Sequence, residues 1–442
     1  MVKKTKNNGQ DLWNKATNLI PGGNGLLSKR PERYLPGLWP VYYKKAKGAY
    51  IWDLDNNKYL DMAQNGIGSA ILGYSDQDVN KAVISSIKNS INTTLNSPEE
   101  VELADMLIKL NPNMHMVKFG RGGGEAMSMA VRIARASSGK DNILFSGYHG
   151  WNDWYIAANV SDKSNLDEHL IQGLSPAGVP KSLKGTAIPF KYDDIKDFDI
   201  KLEKTNNIAA VVIEGARFNE PNIKFLKHIE KVTKKRKIIL IVDEITSGFR
   251  ICDSGSYIKY GYDPDIAVYG KALGNGFAIS AVVGKKQTME AGIKSFISST
   301  MWTERVGFTA AIATLKKMKK IKLHKHLIKT GKNISKIWID AAKRNNLKIS
   351  VTDFFPLVTL KFEYPDEKDK IETLFIQCML ERGILSSKSV YVTAAHGERE
   401  LKRYKKACTE VFSVISKALE TNIDNFLKTP KRSDAFARLN SN

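Results

Sequence analysis

A chain of 442 residues with 42% apolar side chains can bury a large core, which excludes intrinsic disorder and points to two or three structural units. The longest apolar runs, residues 209–213 and 238–242, fall far short of the ~20 residues of a membrane span. The net charge of +22, from 68 basic and 46 acidic residues, leaves open an anionic partner or a solvated lysine-rich face; stretches such as 316–325 carry no aromatics for base stacking, which favours the solvated face.

The spacing of Leu12, Trp13, Ala16, Leu19 and Ile20 predicts a helix over 11–20, stopped by Pro21, Gly22 and Gly23. Residues 24–40 are too rich in Pro and Gly for regular structure and read as a loop over a substrate entrance. Segments 41–45, 49–52 and 58–62, with a turn at Asp55, Asn56 and Asn57, read as a small antiparallel sheet. From about residue 66, helices at 79–89 and 101–110 alternate with strands near Phe119 and at 143–145, 187–189, 209–213, 238–242, 266–269 and 280–283. That alternation predicts an α/β unit with a mostly parallel sheet covered by helices. A long helix over 309–323 should leave this unit. A helix at 334–344, strands at 348–351 and 357–362, and helices at 368–382 and 398–419 then predict a smaller α+β domain. The basic, polar tail after Thr429 is expected to fray. The lysine-rich residues 1–11 have no apolar h-region, so no secretory signal is expected. The three cysteines, Cys252, Cys378 and Cys408, have no metal-ligand spacing, so no metal is expected and the chain reads as cytoplasmic and reduced.

Chemistry concentrates at two strand ends. The apolar run 238–242 ends in Asp243 and Glu244, and the run 266–269 ends in Gly270 and Lys271. In an open parallel sheet such ends line the ligand crevice, so a carboxylate and an amine face one bound molecule. A lysine that forms a Schiff base and a carboxylate that keeps a pyridine nitrogen protonated are what pyridoxal 5'-phosphate (PLP) chemistry requires. The alternative, a nucleotide-hydrolase strand ending in a carboxylate, needs G-x-x-x-x-G-K-[ST] upstream. No such motif occurs, since Gly139-Lys140 is followed by Asp141 and Gly270-Lys271 by Ala272. Gly122, Gly123 and Gly124 precede a helix with the stripe Met127, Ala130, Val131 and Ala134, so backbone N–H groups and positive partial charge are offered to an anion.

DEITSGFR followed by DPDIAVYGKALGNG resembles the core signature of class III aminotransferases of PLP fold type I, nearest the glutamate-1-semialdehyde aminomutase branch. The likeness extends to IPGG, GAYIWDLDNNKYLDM, PEEVELAD, FGRGGGEAMSMAVRIARASSGKD, YHG and FISSTMWTERVGFTAA, in the family's order. It implies an N-terminal segment (1–65) packing with the small domain, a large PLP-binding domain (66–308) and a C-terminal α+β domain (309–442). It implies Lys271 as the Schiff-base lysine and proton carrier, Asp243 as the pyridinium partner, and Tyr148 and Ile245 on opposite ring faces. The family usually carries Ser-Gly-Thr where this chain has Gly122, Gly123 and Gly124, so the phosphate contacts are expected to shift toward backbone amides. Thr300 matches a threonine that reaches the neighbouring subunit's cofactor, which implies a homodimer with its active site at the subunit interface.

Other positions keep two readings. His149 is a cofactor residue or a hydrogen-bonded structural histidine, and Trp151, Trp154 and Tyr155 are a pocket wall or ordinary core. Glu214 is assigned to the site's rim, with Arg217 either a substrate-carboxylate ligand or a surface ion pair. Lys29 and Arg30 sit near the family's substrate-binding arginine. His396, just before the last helix, reads as structural.

The resemblance implies an aminotransferase that moves an amino group from a donor to a carbonyl acceptor through a pyridoxamine phosphate intermediate, with small amine and carbonyl substrates, anionic in character. The alternative is a glutamate-1-semialdehyde 2,1-aminomutase. Two departures weigh against it: LSSKSVYVTAAHGE lacks the aminomutase glutamate ahead of Ala-His, and the substrate-end loop reads NGLLSKRPERYLPG. A racemase is a minor option, and a basic nucleic-acid or membrane-surface protein is the reading from another class.

Overall fold

The uninterrupted apolar runs become the middle of a sheet in a computed structural model of the chain, which describes residues 7–434. Two units result: a central unit over residues 77–325, and a terminal unit in which residues 7–76 join residues 326–434.

The central unit is built on seven strands in the order Met116–Gly120, Ser280–Gly284, Ile266–Tyr269, Ile239–Asp243, Ile208–Glu214, Asn142–Ser146, Ala187–Pro189. The five from Ile266–Tyr269 to Ala187–Pro189 pair in parallel, while Ser280–Gly284 runs antiparallel to both its neighbours. Ile208–Glu214, Ile239–Asp243 and Ile266–Tyr269 are buried at every position, which is why they read as continuous apolar runs and not as alternation. The helix Gly123–Ser138 lays Met127, Ala130, Val131 and Ala134 on the core that includes Phe145, Val212 and Ile241. It stops at Gly139, whose left-handed backbone (φ +66°) returns an N–H to the Arg135 carbonyl. The predicted helix over 309–323 begins earlier, at Arg305, because Glu304 caps it by accepting from Val306 N and Gly307 N (2.6 and 3.4 Å).

In the terminal unit the strands Tyr43–Lys47, Tyr50–Asp53 and Lys58–Met62 form the expected antiparallel sheet. A fourth strand, Ile384–Ser386, joins Lys58–Met62 in parallel, and Ser389–Tyr391 completes a separate three-stranded sheet with Leu357–Phe362 and Ile349–Val351. Both additions have three residues, too few to show a period in the sequence. The helix expected at 334–344 starts at Leu323 instead. Leu323, Leu327, Thr330, Ile334, Trp338 and Ala341 form one buried stripe, whose first half is diluted by the polar Thr330 and by flanking lysines.

The tail does not fray where it is described. Arg432 is 4% exposed, pairs with Glu372 and Asp434, and donates from Nε to the Arg33 carbonyl (2.8 Å). Burial opposes ionisation of Asp434, yet Arg432, Lys388 and Arg33 together hold its carboxyl well below the usual carboxylate range. Residues that read singly as solvated polar tail thus close one ion cluster; the remainder of the tail, residues 435–442, lies outside the described residues, as do residues 1–6 of the segment read for a signal. His396 is buried, its Nε2 donating to the Asp61 carbonyl (2.9 Å), and burial pushes its pKa down to about 4, so it serves structure as a neutral ring. Among the described residues no helix is long and apolar enough to cross a membrane.

Candidate active site

Four parallel strands of the central unit deliver polar groups at their carboxyl ends: Ser146 with the following Tyr148 and His149, Glu214, Asp243, and Gly270 with Lys271. Register places Glu214 beside Asp243, and Asp243 beside Val268, so Asp243 and Lys271 come from adjacent strand ends.

Asp243 is buried and doubly held. Its Oδ1 accepts from Ile245 N (2.9 Å), and its Oδ2 lies 2.9 Å from His149 Nδ1. The other ring nitrogen, Nε2, is 3.1 Å from the Ser146 carbonyl. A carbonyl only accepts, so Nε2 is the nitrogen that donates there, and Nδ1 is the one turned to the carboxylate. The neighbouring Glu244 points the other way. It is fully buried, accepts from Ser247 Oγ (2.6 Å), Ser256 Oγ (2.7 Å) and Tyr257 N (3.1 Å), and burial pushes its carboxyl pKa up. Of the two acids at this strand end, Glu244 is consumed by its own loop and Asp243 is presented by its strand.

Lys271 opens a 3₁₀ turn, Lys271–Gly274, directly after its strand. Its Nζ donates to Thr246 Oγ1 at 2.6 Å, and it makes no ion pair among the described residues. Thr246 is itself fixed: its carbonyl accepts from Nε of the fully buried Arg250 (2.6 Å). The Ile245 side chain lies against both Gly123 and Gly270, where an added Cβ would come within 3.0 and 3.3 Å of it.

Tyr148 is half-buried beside the core that Ile245 also borders, and burial raises its phenol pKa, so it stays neutral. Its loop depends on two glycines with φ +107°: a Cβ on Gly147 would strike Glu214, and one on Gly150 would stand 2.8 Å from the Gly124 Cα. Gly150→Ala therefore combines strain of about 1–3 kcal/mol with overpacking of similar size. Chemical denaturation should show it losing clearly more stability than Gly139→Ala, where φ is also positive but nothing stands within 4 Å. Equal losses would mean that the contact with Gly124 costs nothing.

The glycine run forms a cradle at the start of its helix. Glu125 Oε2 reaches back to Arg121 N (2.6 Å) and Gly122 N (3.2 Å), and the N–H groups of Gly123, Gly124 and Glu125 are left without helical acceptors. A cavity of about 690 Å³ opens here, lined by Gly122, Gly123, Gly124, Arg121, Trp151 and Asn152 among others.

The remaining predicted residues fall as follows. Arg217 Nη1 lies 3.4 Å from Glu214 Oε1, and its guanidinium sits over the rings of Tyr148 (5.7 Å) and Phe218 (4.9 Å). Trp154 and Tyr155 are core, packed edge-on and tilted against Phe145, whereas Trp151 is 76% exposed at the cradle. Thr300 is exposed on a 3₁₀ turn, Thr300–Thr303. Lys29 and Arg30 belong to the terminal unit, where residues 24–40 contain the 3₁₀ turns Leu27–Lys29 and Pro31–Arg33 and the Arg30 guanidinium lies over Gly22. Thr246, Arg250 and Asn152 were not singled out by sequence reasoning. Thr246 lies inside DEITSGFR, but only the fold brings its hydroxyl to Lys271.

Comparison with known proteins matches residues 35–390 to the family described as aminotransferase class-III. The chain belongs to the class-III aminotransferases. It is 27% identical over 421 residues to the 3-aminobutyryl-CoA aminotransferase of Cloacimonas acidaminovorans (strain Evry), covering 92% of this chain and 97% of the relative. It is 32% identical over 417 residues to the glutamate-1-semialdehyde 2,1-aminomutase of Nitrosopumilus maritimus (strain SCM1), covering 89% and 96%. Among solved structures, the FumI protein of Sphingopyxis sp. MTA144 superimposes with a TM-score of 0.84 at 24% identity, over 93% of this chain and 97% of that one. Fold type I is thereby shared.

Class-III aminotransferases use PLP, and the side chains of this class-III aminotransferase suit it. Among the described residues, the central unit provides a primary amine without an ionic partner, a carboxylate fixed on both oxygens, and a glycine cradle with free N–H donors. The Oδ1 of Asn152, at the edge of that cradle, is buried with no hydrogen-bond partner among the described residues.

Proposed function

We propose that this class-III aminotransferase moves an amino group from an amino donor to a separate carbonyl acceptor, with Lys271 holding PLP covalently. The observation that carries the reading is Lys271 Nζ on the Thr246 hydroxyl, beside the strand end where His149 pins Asp243. Bound PLP supplies a protonated ring that takes up the electron pair left when a substrate Cα–H bond breaks.

Once displaced from the cofactor by substrate, Lys271 Nζ would take the substrate Cα proton and deliver it to the former aldehyde carbon. Thr246 orients that nitrogen while it is free of the cofactor. Asp243 keeps the proton on the ring nitrogen by opposite charge, and His149 prevents the carboxylate from rotating away. Gly123 and Gly124 hold the phosphate through backbone N–H groups, the N–H of the expected Gly122 being taken by Glu125 Oε2, while Tyr148 and Ile245 cover the ring and exclude water. Lys29, Arg30 and Arg217 are the cations available to an anionic substrate, Trp151 and Glu214 border it, and the Glu214 pair holds Arg217 until a carboxylate competes. Thr300, exposed in one chain, completes the phosphate site of a second copy in a homodimer.

The likeness to glutamate-1-semialdehyde 2,1-aminomutases supports a second reading, transfer within one substrate, whereas the relative named 3-aminobutyryl-CoA aminotransferase supports transfer between molecules. A ¹⁵N-labelled amino donor, incubated with a panel of unlabelled keto acids and aldehydes, separates them. Label is expected in an acceptor amine. Turnover of an amino aldehyde alone, with no label passed between molecules, would assign the mutase.

A further inference from the structure

Gly124 stands at the second position of the helix, where a side chain would point into the anion cradle, and its missing side chain has been replaced from elsewhere. A Cβ built there would lie 2.6 Å from Asn152 Oδ1 and within 3.4–3.6 Å of the Trp151 ring. The carboxamide of Asn152 thus fills the volume that a residue at position 124 would need. The close approach is made possible by Gly150, whose own Cβ would meet Gly124 Cα at 2.8 Å and Asn152 Oδ1 at 3.5 Å. Asn152 Oδ1 is buried and has no hydrogen-bond partner among the described residues, an arrangement that costs free energy unless the group has a use.

We infer that Asn152 is a phosphate-binding residue, its carboxamide donating from Nδ2 to the anion held at the start of the Gly123–Ser138 helix. The inference rests on the PLP reading above and names a contact beyond the backbone amides. Half a turn about the Cβ–Cγ axis side exchanges Oδ1 for Nδ2 within the same volume, which brings a donor to the cradle edge. A donor is what this place requires. Glu125 already occupies the N–H groups of Arg121 and Gly122, so the helix offers only those of Gly123, Gly124 and Glu125. Arg121 and Arg132 line the same cavity and add positive potential without crowding it.

The test compares PLP with pyridoxal, which lacks the phosphate, by equilibrium binding to apoprotein. Asn152→Ala is expected to weaken PLP about tenfold, as loss of one charge-assisted hydrogen bond does, and to leave pyridoxal unchanged. The double variant Gly124→Ser with Asn152→Ala, in which the vacated volume receives a hydroxyl, should recover most of the PLP affinity. Asn152→Ala binding PLP like the parent, or losing PLP and pyridoxal equally, overturns the assignment. A double variant no better than Asn152→Ala overturns the exchange of one side chain for the other. A parent that binds neither compound sinks the PLP reading together with this one, whereas a parent that binds PLP beside an unaffected Asn152→Ala variant sinks this one alone.

Discussion

Lys271→Ala is expected to abolish covalent retention of PLP and to lower amino transfer by on the order of 10⁴-fold or more, because one side chain both holds the cofactor and carries the proton. Folding should survive. Lys271 is only partly buried, and the neighbours that anchor its turn, Ala272 and Leu273, are core residues untouched by the change. Borohydride reduction followed by peptide mapping reads the outcome: the parent should carry a reduced pyridoxyl group at Lys271, and the variant none at any lysine. With 53 lysines in the chain the control is a demanding one, since random modification would scatter over many sites. A variant still modified at a single lysine would mean that another amine does this work. The Thr246 contact sharpens the assignment: a lysine kept for solubility has no need of a buried hydroxyl 2.6 Å away, itself anchored through Arg250.

Why the sequence revealed this amine and not its partner is a matter of range. Lys271 and Asp243 end uninterrupted apolar runs, and a run of that kind in an α/β pattern has a known destination, the middle of a parallel sheet. The strand end then fixes the side chain's place without further information. Thr246 and Asn152 follow no such rule. Each belongs to a loop, and loop geometry here is dictated by glycines whose necessity becomes visible only when the opposing backbone is known, as at Gly150 against Gly124. The same limit explains the terminal unit. The strand Ile384–Ser386 exists because Lys58–Met62 offers it an edge, not because three residues encode it. The ion cluster around Arg432 and the nearby Asp434 gathers Arg33, Glu372 and Lys388 from distant parts of the chain, so each looked like an ordinary solvated charge. The helix beginning at Leu323 escaped for a milder reason: the polar Thr330 occupies a buried position of its stripe and broke the apolar count.

Asp243→Asn is the second large effect, and it separates charge from shape. Asparagine is isosteric with aspartate, its Oδ1 can still accept from Ile245 N, and its Nδ2 can donate to His149 Nδ1 while Nε2 keeps the Ser146 carbonyl. The variant should therefore fold, and it should still bind PLP at Lys271. What it lacks is the negative charge that keeps a proton on the ring nitrogen, so turnover should fall about 10²- to 10³-fold while PLP affinity changes little. His149→Ala supplies the complement. It leaves the charge but removes the partner that holds Oδ2, so a smaller loss is expected, together with a looser, more mobile carboxylate. Steady-state turnover and PLP titration of both variants decide the matter. If Asp243→Asn retains turnover within about tenfold of the parent, the carboxylate is not what maintains the ring proton. If His149→Ala is the worse of the two, orientation of Asp243 outweighs its charge, and the chain of contacts from the Ser146 carbonyl through His149 to Asp243 is the feature on which the chemistry turns.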